Sequence, residues 1–404
     1  TPPPSTSSAA SDVYKRQVTI DVGNASLQYK DRSVSVVSVQ DFASNHSDLV
    51  AEKLPFQEVD YLTHLAQSNP GMEHFICAVY DGDTLLARAY LQRMPFSGER
   101  LDNFRPAAWL PSKVYDLVVR PIQWRILSLG SIFTTGDNGL VFSGEVTQEQ
   151  KKGIYQYLLS QLQNGLIPCD GLLIKDVYLA TDSWMVDCLK ERGFYMTPSE
   201  PDMILANVTQ FSTMEEYSAA LRAKYRTKYN QVAERSKDLQ VNDYSNWSDA
   251  PTEEMYPLYV NIMSAVDFYI QLISPAYFQI EANASSSLPK LRTYSVGNEV
   301  IGWISWFEDE SRIHAHLIGL NHKKAGRFKA YHRILYDLVE LAIEHKKDTV
   351  CYGRTSQQAK SNVGAQPNAM ASAVYHRRRS MRYLMKSFTQ SVELETENPR
   401  QAFR

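Results

Sequence analysis

Two histidines stand two residues apart in the run 312–320, where strict alternation puts His314, His316, Ile318 and Leu320 on one face of a strand. Imidazole is the side chain that ordinarily exchanges a proton near neutral pH, so both are candidates for proton transfer or a substrate contact, against the plainer reading of satisfied structural histidines. A zinc site using His322 as well would need a further carboxylate or thiol, and none is read as completing it. A short apolar strand, 349–352, then delivers Gly353, Arg354 and Thr355, with Lys360 close behind. A guanidinium at the end of a buried strand offers two parallel donors to a phosphate or carboxylate, although a salt bridge closing the turn would use the same residue. Tyr331 and Tyr352 are phenols within reach of this region and candidate proton donors. Arg222 and Arg226, one helical turn apart beside Lys224 and Lys228, suit either a phosphate or tRNA surface or an ordinary solvated face.

These side chains need a scaffold, and periodicity supplies one. Tyr331, Ile334, Leu335, Leu338, Val339 and Ala342 recur at the spacing of a buried helical stripe. Strand 312–320, that helix and strand 349–352 form a parallel crossover unit, which leaves ligands at the carboxyl ends of its strands. The order of elements occurs twice. Strands 75–80 and 85–92 flank a turn at Gly82; strand 125–129, a helix over 148–163, strand 171–174 and a helix over 184–191 ending at Gly193 follow. The second copy opens with strands 292–296 and 300–307 around Gly297. The first copy is longer because of a proline-punctuated insertion over 93–124, read as a surface loop or lid. A last strand of the first half spans 203–208. A capping pattern at 212–216 begins a basic helix over 214–236, and a further helix spans 253–272. Arg377, Arg378, Arg379, Arg382 and Lys386 form a second basic cluster.

The chain therefore divides into 18–208 and 209–390. Residues 391–404 are expected to be a flexible tail. Residues 1–17, rich in proline, serine and threonine and lacking the apolar core of a signal peptide, are read as a non-native or disordered leader. At 404 residues two or three domains are expected. A net charge of −3 gives no bulk attraction for polyanions, so any phosphate site must be local. Cys77, Cys169, Cys188 and Cys351 are scattered among apolar neighbours, without metal spacing, and are expected as buried thiols in a reducing cytoplasm. No apolar run is long enough to span a bilayer.

The segment 313–367 resembles the C-terminal half of a GNAT-type acyltransferase domain, in the divergent tandem branch that includes the bacterial Fem-type peptidoglycan ligases. The resemblance covers about residues 55–370. It implies a mixed α/β protein of two tandem GNAT-like folds and an N-acyltransferase working by direct attack of an amine on an acyl carbonyl, between the splayed strands 312–320 and 349–352. His314 or His316 would move the proton, Tyr331 or Tyr352 would donate one, and Arg354, Thr355, Lys360, Arg222 and Arg226 would bind substrate. In place of the glycine-rich pyrophosphate loop of acetyl-CoA-using members stands 321–328, NHKKAGRF. The first half has Gly136, Gly139 and Gly144 without the motif. The expected donor is thus an acyl-CoA or an aminoacyl-tRNA, with no permanently bound cofactor and no metal, and the acceptor a small-molecule or peptide amine. A silent tandem GNAT fold acting as a binding or scaffold protein is the alternative from another class. An RNA-binding module fits the near-neutral charge poorly.

Overall fold

The computed structural model describes residues 32–39, 42, 54–102, 110–136, 139–144, 146–266, 268–279, 288–392 and 399–404. The leader 1–17 lies outside the described residues. The first half runs β1 (Arg32–Ser38), α1 (Val59–Ser68), β2 (Glu73–Asp81), β3 (Thr84–Ser97), α2 (Ser112–Val118), β4 (Gln123–Leu129), β5 (Leu140–Phe142), α3 (Gln148–Gln163), β6 (Gly171–Tyr178), α4 (Ser183–Glu191) and β7 (Tyr195–Leu205). The second half runs α5 (Met214–Ala220), α6 (Ala223–Ser236), β8 (Gln240–Tyr244), α7 (Thr252–Met263), β9 (Lys290–Val296), β10 (Glu299–Glu308), β11 (Arg312–Leu320), α8 (His322–Arg327), α9 (Ala330–Glu344), β12 (Thr349–Cys351), α10 (Gln357–Asn362), β13 (Gln366–His376) and α11 (Arg379–Ser391).

Local chemistry sets many of these limits. The β2–β3 hairpin pairs Asp81 with Thr84 around Gly82, whose φ of 57° a side chain would resist. Thr147 and Gln150 close a capping box at the start of α3. The basic helix expected over 214–236 is instead two helices. Leu221 leaves helical geometry and bridges to Phe403, so Arg222 sits at the break and not on a continuous face. The helix expected over 253–272 ends at Met263. The insertion at 93–124 is largely structured where described: β3 continues through Ser97, and α2 buries Tyr115.

Among the described residues one mixed sheet holds all the strands, in the order β1-β2-β3-β4-β6-β13-β7-β12-β11-β10-β9-β8, with β5 paired to β3. The repeat of elements holds, but the halves 18–208 and 209–390 do not keep separate sheets. Each gives its last strand to the other: β13 lies between β6 and β7, and β7 lies between β13 and β12. Read inward from either end, the sheet is the same succession twice. One apolar core packs α9 and α5 on the second half, another packs α3 and α4 on the first. A third joins the halves, with Phe56, Tyr61 and Leu65 meeting Trp247, Tyr277, Trp303 and Phe307. All four cysteines are free and buried.

The end of the chain is not the loose tail expected over 391–404. Among its described residues, Ala402 is buried, and Phe403 stacks on Phe211 and meets Tyr217 edge-on.

Candidate functional site

The parallel pair β11–β12 keeps register only through Arg312–Thr349, Ile313–Val350 and His314–Cys351. Beyond that point β11 continues to Leu320 while β12 stops, and a cleft opens between them. It lies at the middle of the sheet, where both halves contribute: His314, Ala315, His316 and Gly353 from the second, Thr134, Thr135 and Asp202 from the first. The β4–β6 pair ends in the same way, at Leu129 and Ile174, and the chain from Gly130 onward leads Thr134 and Thr135 into the cleft. Phe56 and Phe307 supply apolar wall.

His314 is the best-supported histidine. Its Nε2 is 2.8 Å from Asp309 Oδ2, and its ring meets Phe56 edge-on. The other oxygen of Asp309 accepts from the backbone N–H groups of Ser311 (2.8 Å) and Arg312 (2.7 Å). Burial pushes the Asp309 carboxyl up, but these bonds outweigh it and hold it below its ordinary range. An ionised Asp309 can only accept, so Nε2 is the donor of this bond and Nδ1 is the ring nitrogen it leaves unengaged by Asp309. Asp309 is not among the residues the sequence singled out. Its signal was the turn 309–311, which returns the chain directly beneath β11.

His316 is different in kind. Its Nε2 lies 3.1 Å from Tyr277 Oη and 3.4 Å from Tyr61 Oη, and its ring packs against Phe307. Burial among these rings pushes its pKa down to about 3. A base so weak holds no proton at neutral pH, and the ring serves chiefly as a polar contact between α1, β11 and the Pro275–Phe278 turn.

The Gly353–Lys360 turn also departs from expectation. Arg354 is half-buried and already engaged: its guanidinium meets the carboxylate of Asp176 from β6. Asp176 is fully buried, left-handed in backbone, and also accepts from Lys175 Nζ (2.6 Å) and the Gly136 N–H (3.0 Å). Burial lowers the Arg354 pKa to about 10, and its Nε is buried without a partner. Lys360 is spent on the backbone, donating to the carbonyls of Gly353 (3.0 Å) and Arg354; burial lowers its pKa to about 8. Thr355 is exposed, with a left-handed φ of 64°. Neither Arg354 nor Lys360 is therefore free to bind a substrate anion as expected. They fix the turn that carries Gly353 to the cleft.

Asp202, also missed in the sequence, anchors the same turn. Its carboxylate accepts from the Gly353 N–H (3.0 Å) and Tyr178 Oη (2.8 Å), while burial raises its pKa. Only the strand exchange brings β7 here. Tyr352, expected as a proton donor, instead donates its hydroxyl to the Leu335 carbonyl at 2.9 Å in the core. Tyr331 bonds Ser356 and is raised by burial. Arg222 donates to the Phe403 carbonyl (2.8 Å), and Arg226 reaches the Ala219 and Leu221 carbonyls at 3.4 Å. Arg222 thus ties down the segment at Phe403 and Arg226 caps the end of α5, in place of the cationic rows expected of them.

Cations do gather where α9 begins. Lys329 sits there in left-handed geometry, and burial together with Lys329 and Lys228 depresses the His332 pKa. These groups could hold a donor's phosphate. Segment 321–328 forms the short helix α8, with Gly326 inside it and no left-handed glycine, so its amides do not converge as in an anion nest. Among the described residues no group of three histidines, cysteines or carboxylates is placed to hold a metal, and no helix is long and apolar enough to cross a membrane.

No family model matches the chain, and no curated protein matches it. Among solved structures it is similar to FemX, at 13% identity and a TM-score of 0.52, over 87% of this chain and 99% of that one. It is also similar to a tandem GNAT protein from the clavulanic acid biosynthesis pathway (10% identity, TM-score 0.49, 86% of this chain and 99% of that one). A third is L-PGS from Bacillus licheniformis (12% identity, TM-score 0.48, 82% and 91%). The likeness to FemX is one of fold.

Proposed function

We propose that this protein is an N-acyltransferase that moves an acyl or aminoacyl group to a small-molecule or peptide amine in the cleft between β11 and β12. The observation that carries the reading is the splay of that pair immediately after His314 and Cys351, with His314 oriented by Asp309 on its rim. In such a cleft the neutral amine nitrogen attacks the acyl carbonyl carbon. The new C–N bond forms as the bond to the donor's oxygen or sulfur breaks. The amine's proton passes to Nδ1 of His314, and the leaving group takes a proton from solvent or from Tyr331. Backbone N–H groups of β11, unpaired once β12 has ended, would polarise the carbonyl. Asp202 and Gly353 shape the opposite wall.

Helix α8 argues for the donor. Without converging amides, a free pyrophosphate gains little at this position, which favours aminoacyl-tRNA over acetyl-CoA. Lys228, Lys329 and His332 would meet its backbone. The second reading, a binding or scaffold protein, draws support from Arg354, Lys360 and Tyr352, whose polar groups are satisfied internally. One experiment separates them. The purified chain is offered radiolabelled aminoacyl-tRNA or acetyl-CoA with a panel of primary amines. Transfer that is lost in His314→Gln supports the enzyme. No transfer from any donor, with the fold intact, leaves the scaffold reading.

A further inference from the structure

Lys228 of α6 and Arg400, near the end of the chain, converge on one oxygen. Lys228 Nζ donates to Asn362 Oδ1 at 3.1 Å, and Arg400 Nη1 donates to the same atom at 2.8 Å. Arg400 Nη2 donates to Gln358 Oε1 at 2.6 Å, and the Arg400 carbonyl accepts from Gln366 Nε2 at 3.2 Å. Asn362 is buried at the end of α10, so the pair is held in place. Lys224, one turn before Lys228, adds a further cation. Both ammonium groups lie over the ring of Tyr225, at 5.9 and 5.6 Å from its centre. Lys224, Lys228 and Arg400 make no ion pair with any described residue. Burial lowers the Lys228 pKa, and the charges of Arg400 and Lys224 lower it further.

Like charges drawn together repel, and a carboxylate at position 362 would relieve them. Here the neutral amides of Asn362 and Gln358 do the positioning instead. They fix the direction of the donors and leave the charge uncancelled, which is the condition for receiving an anion. We propose that Lys224, Lys228 and Arg400, set around Asn362, form a binding site for a phosphate group, carried either by a nucleic-acid backbone or by a small molecule. The site rests on the donor reading above for the kind of anion, and adds Arg400, Asn362 and Gln358 to Lys228. The guanidinium presents its remaining N–H groups in a fixed plane, and the two lysines supply point charges beside it. Because the whole chain carries a net charge of −3, the attraction is local.

The test is equilibrium binding to the full chain, at low and high salt, of inorganic pyrophosphate by calorimetry and of a short fluorescent oligoribonucleotide by anisotropy. At least one probe should bind, and binding should weaken with salt. Binding of pyrophosphate assigns the site to a small molecule's phosphate; binding of the oligoribonucleotide alone assigns it to a backbone. Lys228→Gln and Arg400→Gln should each weaken binding about ten-fold. Asn362→Asp is the sharper variant. Its carboxylate still accepts from both cations but cancels their charge, so binding should weaken about ten-fold or more while the melting temperature holds or rises. Lys190→Gln, which removes an exposed lysine of α4, should bind like the parent. The proposal is overturned if neither probe binds, or if Asn362→Asp binds like the parent. It is overturned as well if Lys190→Gln weakens binding as much as Lys228→Gln, which would assign the effect to diffuse charge. Binding is read without turnover, so a chain that transfers nothing can still support the site. One that transfers normally but binds neither probe loses the site and keeps the cleft.

Discussion

Arg354, just past the end of β12 in the second half, holds its guanidinium against the buried carboxylate of Asp176, from β6 in the first. The pair spans the strand exchange at the centre of the sheet, and Lys175 shares the same carboxylate. A residue that by type and position suggested a substrate anchor thus clamps two halves together.

The first prediction concerns that clamp. Asp176→Asn keeps the shape and tolerance for the left-handed backbone but leaves Lys175 and Arg354 facing an uncharged amide. The loss should be about 3 kcal/mol. Arg354→Lys should cost less, about 1–2 kcal/mol, because Asp176 still keeps Lys175 and Gly136. Urea unfolding of the two variants measures both, and unchanged midpoints would remove the clamp.

A second prediction addresses the histidines. If transfer is observed, His314→Gln should lower kcat by about a hundred-fold or more, the usual weight of a general base. Asp309→Asn should lower it less, about ten-fold, by loosening the tautomer. His316→Leu should leave kcat within a few-fold. Equal losses at 314 and 316 would return His316 to the chemistry.

Acid stability should report the buried imidazoles. His316 and His74 are held at about 3 and about 4, against about 6.5 in an unfolded chain. The unfolded state binds the protons first, so stability is lost as pH falls below about 6.5, and each further unit costs up to ~1.4 kcal/mol per histidine until the folded value is reached. His316→Leu should flatten the decline of the urea midpoint between pH 6 and pH 4. A decline as steep as the parent's would show that His316 titrates normally.

The exchange of β7 and β13 makes the halves interdependent. Expressed alone, residues 18–208 would leave the slot between β6 and β7 empty and both edges unpaired, and should aggregate. Co-expression with 209–404 should give a soluble complex that copurifies. A monomeric, cooperatively folded first half would contradict the sheet order.

The docked chain end is open to a simple truncation test. Phe403 packs on Phe211 and Tyr217 and fills the space beside Gly364, where its ring lies 2.2 Å from the position of an added Cβ. Phe403→Ala should cost about 2 kcal/mol, a partly buried version of the usual aromatic deletion. Gly364→Ala should destabilise as well, both by that clash and by its φ of 94°. Differential scanning calorimetry reads both; a tail that can be removed without lowering the melting temperature would be the loose one expected from composition.

The sequence by itself determined what is local. Glycine at 82 and 297 marked two hairpins, the stripe from Tyr331 to Ala342 marked a core helix, and alternation placed His314 and His316 on one face. Together they identified the repeated half and the cleft-forming strand pair. Periodicity states which face of an element is buried, but not which strand lies beside it, and there the tertiary structure decided. Nothing in the pattern of β7 or β13 distinguishes a partner in its own half from one in the other, so Asp202 and Asp176 reached the centre unannounced. Nor does spacing fix dielectric surroundings. His314 and His316 look alike in sequence; a carboxylate orients the first, and a wall of tyrosine and phenylalanine encloses the second. The same holds for cations: Arg354 and Lys360 read as open to a ligand because the carboxylate and carbonyls that occupy them come from residues the chain brings together only on folding.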